Sequence, residues 1–300
     1  MTTTIKKQAK PSPAITIDDI RQKMVDSYAV ELNDRDQAIL ENARANQSLF
    51  ITGNSKTGIA WDLHAIGSCL GATEACLSRR ILKSGAIAML PKCYAMNGNY
   101  RLAQWRYKHN YDMLNFWHAI GYSNEAIAQK ILAALESHKG FKKIAWIRIH
   151  GSGDIFSAWY CQVLTCLAKL LKSKHNKGAY LYTRAYVVSS ILPSLYELAS
   201  VADVNLSADY VNYQQAIDTY NTAPHLFRRV AVMHSDDATF PLEIATGIGG
   251  KSNLIAFPEH SGGIETAPIK GIPTCPALLG VLQSDNEGSA CQKCKAICHA

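Results

Sequence analysis

The stretch Ile144-Ala-Trp-Ile-Arg-Ile149, running into His150-Gly-Ser-Gly-Asp154, decides how the chain is read. Its first part is apolar and β-branched, the signature of a buried strand, and its second is a polar turn. The segment after it, Phe156–Lys172, carries Trp159, Val163, Leu167 and Leu170 at helical spacing. Strand, polar turn and helix then repeat. Ala179–Tyr182 ends at Thr183-Arg184 with a helix over 187–198, and Asp203–Leu206 ends at Ser207-Ala208-Asp209 with a helix over 211–219. Val230–Met233 ends at His234-Ser235-Asp236-Asp237, and Leu254–Phe257 ends near Glu259-His260. Upstream, Gly58–Leu63 reads as an earlier strand. Near-continuous apolar strands alternating with helices indicate a parallel sheet in an α/β fold. Six such strands point to a partial parallel (βα)6 TIM-like barrel, with an open doubly wound sheet as the alternative.

The polar residues fall just past the strand ends, which favours the barrel, because that rim is where parallel barrels assemble chemistry. His150, Asp154, Arg184, Asp209 and His234 are therefore the catalytic candidates, with Tyr182 and Thr183 beside them as ligand-binding candidates. Arg184 would suit a carboxylate or phosphate. Taken singly, Asp154, Ser207, Asp209 and Asp236 are equally at home as helix caps and turn formers.

The chain has 300 residues, 48% hydrophobic and 18% charged, enough to bury a substantial core. Residues 1–15 read as a tail without a signal-peptide apolar region, 16–56 as a helical appendage with helices over 17–24 and 34–44, 57–270 as the α/β unit, and 271–300 as a cysteine-rich segment. With no apolar stretch long enough for a membrane span, a cytoplasmic location is expected. The net charge of +7 contains no run of five or six basic residues, so the excess reads as dispersed. It fits simple solubility or a nucleic-acid or nucleotide partner. Gly53-Asn-Ser-Lys56-Thr57-Gly58 lacks phosphate-loop spacing and Gly247-Ile-Gly-Gly250 lacks a dinucleotide-binding context, so both read as turns.

Nine cysteines in a chain expected to stay reduced are candidate soft-metal ligands. Cys275-Pro276 is followed after fourteen residues by Cys291-Gln-Lys-Cys294-Lys-Ala-Ile-Cys298, a set able to close a shell around zinc or a four-iron cluster. Cys69, Cys76 and Cys93 make three thiolates, one short of a closed shell, as a catalytic metal requires. The alternative puts Cys76 on a helix over 73–82 facing the core. Cys161 and Cys166, among Leu, Val and Ala of the Phe156–Lys172 helix, read as core residues.

Thr57-Gly58, Cys69, Cys76, Cys93-Tyr94-Ala95, Gly98-Asn99-Tyr100, Arg106 and Asn110 resemble the phage and plasmid gene product 88 family. So do Arg148-Ile-His150-Gly-Ser152-Gly153-Asp154, Tyr182-Thr183-Arg184 and the terminal cysteines. More distantly, Trp61-Asp62 with the three following cysteines resembles phage radical S-adenosylmethionine proteins. That likeness implies a partial barrel whose three-cysteine loop holds a 4Fe-4S cluster, leaving one iron for S-adenosylmethionine. It also implies that Gly151, Ser152 and Gly153 contact the methionine amine. The sixteen residues between Cys76 and Cys93 exceed the familiar spacing, as an inserted helix would explain. The expected cofactors are thus one or two 4Fe-4S clusters and S-adenosylmethionine, with zinc as the alternative at the C-terminal site. The expected activity is modification of a nucleic acid or nucleotide. The other readings are a zinc-containing base-modifying barrel, like tRNA-guanine transglycosylases but without their cysteine pattern, and a non-catalytic zinc-stapled nucleic-acid-binding protein.

Overall fold

The structure, a computed structural model, describes residues 32–54, 58–73, 80–81, 87–88, 93, 95, 98–234 and 253–258. The tail, the 17–24 helix, Cys76, Asp236, the 247–250 glycines and the whole 271–300 segment with Cys275, Cys291, Cys294 and Cys298 lie outside the described residues.

The chain builds one mixed α/β layer arrangement. Helix α1 (Asp34–Ala45) leads into a hairpin of β1 (Thr52–Asn54) and β2 (Gly58–Trp61). Two short strands, β3 (Arg80–Ile81) and β4 (Ile87–Ala88), pair separately, so a helix over 73–82 does not extend through Ile81. Helices α2 (Gly98–Leu102), α3 (Gln104–Ala119) and α4 (Asn124–Ser137) precede β5 (Trp146–Ile149). Alternation follows: α5 (Ala158–His175), β6 (Gly178–Thr183), α6 (Leu192–Ala199), β7 (Asp203–Ala208), α7 (Tyr213–Thr222), β8 (Phe227–His234) and β9 (Leu254–Pro258).

The sheet order is β1-β2-β5-β6-β7-β8-β9, with β1 antiparallel to β2 and every later pairing parallel. The six parallel strands are the six expected from sequence. Each new strand adds to the same edge, without the reversal that defines a doubly wound sheet. Among the described residues β1 and β9 are the two ends of the sheet, so the observed object is an open, mostly parallel sheet.

Alternation sets which face is packed. Ile147, Ile149, Leu181, Val204, Leu206, Val230 and Val232 join Ile131, Leu135, Leu164, Leu167, Leu195 and Leu198 of the helices in one apolar core. Their neighbours in register, Arg148 with Tyr180 and Tyr182 with Asn205 and Arg229, share the other face. Cys161 is fully buried in the core, as expected, whereas Cys166 is only partly buried and packs against its edge.

Helix boundaries follow local chemistry. Ser157 caps α5 by accepting from the Tyr160 N–H, and Asn176 ends it in the left-handed conformation. The helix expected over 187–198 starts only at Leu192, where Pro193 occupies the first turn, and a short 3-10 turn spans Ala185–Val187.

Candidate functional site

The loop Asp62–Thr73, which carries Cys69, lies across the C-terminal ends of β5, β6 and β7. Buried polar side chains hold it there. Asp62 directly follows β2, and its Oδ1 accepts the Ser152 N–H at 2.8 Å while the Thr52 hydroxyl donates to Oδ2. Ser68 donates to the His64 carbonyl at 2.8 Å and accepts the Asp154 N–H at 3.1 Å. At the far end of the loop the Thr73 hydroxyl donates to Asp209 Oδ2. Gln104, the first residue of α3, links three segments at once. Its Oε1 accepts the Ala65 N–H at 2.9 Å, and its Nε2 donates to the Ala95 carbonyl at 2.8 Å and to Ser152 Oγ at 3.1 Å. The loop bearing Cys69 and the segment bearing Cys93 therefore share one anchor, and both cysteines are half-buried.

Two glycines are required by this seat. Gly153 adopts φ +82°, and a Cβ on it would come 2.6 Å from Ser68 Oγ. A Cβ on Gly71 would come 2.3 Å from the Arg184 carbonyl oxygen, so the loop's passage over the end of β6 needs glycine.

The carboxylates expected to be catalytic are occupied. Asp154 Oδ1 accepts the Thr183 hydroxyl at 2.6 Å and the Ile155 N–H at 2.7 Å, and its Oδ2 accepts the Arg184 N–H at 2.8 Å. Asp209 Oδ2 takes an Arg184 Nη2 hydrogen bond at 3.2 Å besides that of Thr73, and Oδ1 accepts the Val211 N–H at 3.0 Å. Neither aspartate caps a helix, since Ser157 caps α5 and the cap position of α7 is Asn212, which makes no side-chain cap bond. Burial pushes the Asp62 and Asp154 pKa values up, against the pull of their hydrogen-bond donors.

His150 sits where β5 ends, at φ +62°, a conformation uncommon for a non-glycine residue. Its Nε2 lies 2.8 Å from the Tyr160 hydroxyl oxygen, which also accepts the Trp61 indole N–H at 2.8 Å. Its Nδ1 has no hydrogen-bond partner among the described residues. Burial, helped by Arg148, lowers its pKa to about 3, so the imidazole is neutral near pH 7. His64, in the cysteine loop, is lowered to about 4, again chiefly by burial.

The cofactor-binding candidates divide. Ser152 spends its N–H on Asp62, its hydroxyl oxygen on Gln104 and its carbonyl on the Leu63 N–H, so with Gly151 and Gly153 it forms the seat of the cysteine loop. Thr183 holds Asp154 and accepts the Ala185 N–H. Tyr182 faces away from the helices, with the Arg148 guanidinium 5.5 Å from its ring centre. His234 is the last residue of β8, and its side chain lies outside the described residues. Among the described residues no three His, Cys, Asp or Glu converge as a metal site. No helix among them is long and apolar enough to cross a membrane. Sequence reasoning passed over Gln104, Ser68 and Thr73, and it used Asp62 only in the family likeness. None of these has a local pattern that marks it.

A family model described as gene product 88 matches residues 32–300. No curated protein and no solved structure matches the chain.

Proposed function

The chain belongs to the gene product 88 family, and from that premise we propose that it is an iron–sulfur enzyme of radical S-adenosylmethionine type acting on a nucleic acid or nucleotide. In this reading the six parallel strands are the wall of a partial (βα)6 barrel. Cys69, Cys76 and Cys93 hold the catalytic 4Fe-4S cluster, and Cys275, Cys291, Cys294 and Cys298 hold a second metal centre. The observation that carries the reading is the Gln104 anchor, which ties the Cys69 loop and the Cys93 segment together over the strand ends. Two half-buried thiols on loops fixed to a parallel-sheet rim suit a soft-metal cluster that must stay accessible to a ligand.

A four-iron cluster, when bound, supplies the one electron that splits the sulfonium bond of S-adenosylmethionine. The chain's own residues provide position. The Asp154 N–H holds Ser68 in the middle of the cysteine loop and the Asp209 carboxylate holds Thr73 at its end. Asp209 also orients the Arg184 guanidinium, which is placed to receive an anionic group. His150 presents a neutral imidazole backed by Tyr160. A zinc-based base exchange would need Asp154 or Asp209 free to act as a nucleophile or base, and both are occupied by donors of the fold. The radical reading is therefore preferred. It is tested by reconstituting the full chain with iron and sulfide without air, reducing it and adding S-adenosylmethionine. Formation of 5′-deoxyadenosine is expected. A colourless protein that retains only zinc, or an iron-loaded protein that forms no 5′-deoxyadenosine, contradicts it.

A further inference from the structure

The opposite end of the sheet carries a different kind of surface. A cleft of about 560 Å³ opens where β5, β6 and β7 begin, lined among others by Trp146, Lys169, Lys172, Ser173, Lys177 and Asp203. Trp146 is half-exposed and lies against Gly178 so closely that a Cβ there would meet its ring at 2.2 Å. Lys139, Lys142, Lys143, Lys169, Lys172 and Lys174 are all exposed. The turn that bears the first three is packed against the end of α5 that bears the others. Phe141 meets His175 edge-on at 5.0 Å, and the Lys177 ammonium, which donates to the Ile144 carbonyl, lies 5.0 Å from the Phe141 ring centre. Charge that is dispersed along the sequence is thus concentrated in space. The acidic groups nearby are Glu136, paired with His175 at 2.6 Å, and Asp203.

Lysines also neutralise the negative end of a helix, and that role accounts for Lys172 and Lys174 in the last turn of α5. It does not account for Lys139, Lys142 and Lys143, which follow α4, or for Lys169. We propose that this lysine pole binds the phosphodiester backbone of single-stranded nucleic acid, with Trp146 as a stacking surface for an unpaired base. An electrostatic groove with an aromatic platform is the arrangement that suits single strands, because a paired base cannot reach a ring in a cleft. A membrane fits less well. The large exposed apolar residues, such as Phe116, Ile120, Tyr210 and Val211, are not among those lining the cleft. Phosphates and base faces are common to RNA and DNA, so both bind alike. The pole is at the far end of the strands from the cysteine loop, and the inference does not rest on the cluster chemistry.

The test is fluorescence anisotropy of labelled single-stranded RNA and DNA of about 12 nucleotides with the purified full chain, with and without iron. Salt is varied between about 50 and 200 mM. Both oligonucleotides bind, equally in the two iron states, and Lys169→Glu with Lys172→Glu and Lys174→Glu together weaken binding at least about tenfold and flatten the salt slope by about 2. If that variant does not fold by circular dichroism, Lys139→Glu with Lys142→Glu and Lys143→Glu, on a separate turn, gives the same loss. Absence of binding at low salt, variants that bind like the parent, or equally strong binding of duplex, anionic vesicles or polyglutamate overturns the proposal. A colourless protein that still binds both oligonucleotides removes the radical reading and leaves this one intact.

Discussion

The two ends of the sheet use polar residues in opposite ways. At the C-terminal rim Asp62, Ser68, Gln104, Ser152, Asp154, Thr183 and Asp209 are buried and face one another. Their donors and acceptors are spent on one another, on neighbouring backbone and on the loop between Asp62 and Thr73. At the N-terminal end Lys139, Lys142, Lys143, Lys169, Lys172 and Lys174 face water. A buried network costs stability wherever one member is removed, because its partner is left dry and unsatisfied. An exposed set of like charges contributes almost nothing to folding and is available to a partner. The rim therefore positions a loop, and the pole presents a field.

Asp154→Ala breaks the comparison most sharply. It strands the Thr183 hydroxyl and the Ile155 and Arg184 N–H groups, and a loss of about 3–5 kcal/mol in urea unfolding is expected. A loss under about 1 kcal/mol would mean the rim is not clasped as described.

Acid is the next probe. His150 and His64 have folded pKa values lowered to about 3 and about 4. Between the unfolded value of about 6.5 and those values the unfolded chain binds more protons, so stability falls as pH falls through this window. From pH 7 to pH 5 each buried histidine costs about 2 kcal/mol. Asp62 and Asp154, with raised values, act in the opposite direction: just above the ordinary carboxyl pKa their contribution falls as pH rises. The clean readout is therefore a difference. His150→Asn, a residue that tolerates the left-handed backbone, should show a smaller loss between pH 7 and pH 5 than the parent. An unchanged slope would show that His150 already carries its proton when folded.

How much of this could be read beforehand depends on where the information lies. Strands such as Ile144–Ile149 and helices such as Phe156–Lys172 were legible because burial imposes apolar runs and helical spacing on contiguous residues. α3 was not placed from sequence. Its core-facing positions include Gln104, His109 and Asn110, which blur the apolar stripe. Asn110 is spent on Phe50 and the Asp62 carbonyl, contacts about fifty residues away that no local pattern announces. Rim positions were legible as strand ends, but their partners were not. Asp154 could be chosen from its place after β5, whereas its donor from β6 depends on sheet order. The lysine pole was hidden for the same reason, because Lys139–Lys143 and Lys169–Lys174 meet only when α4 and α5 pack.

Two smaller effects sharpen the contrast. Thr73→Val removes one donor to Asp209, which keeps Arg184 and the Val211 N–H. About 1 kcal/mol is expected, with faster amide exchange across 65–73 as the local signature. Lys169→Ala, exposed at the pole, should shift unfolding by less than about 0.5 kcal/mol while weakening oligonucleotide binding.

The claim that Cys69 is a cluster ligand seated at the rim is tested most directly by iron content. The parent, Cys69→Ser and Cys161→Ala would be purified without air and analysed for iron and acid-labile sulfide. The parent and Cys161→Ala, whose thiol is buried in the apolar core, should carry the same iron, and Cys69→Ser should lose one cluster's worth. Equal iron in all three proteins, or zinc alone in each, would contradict it.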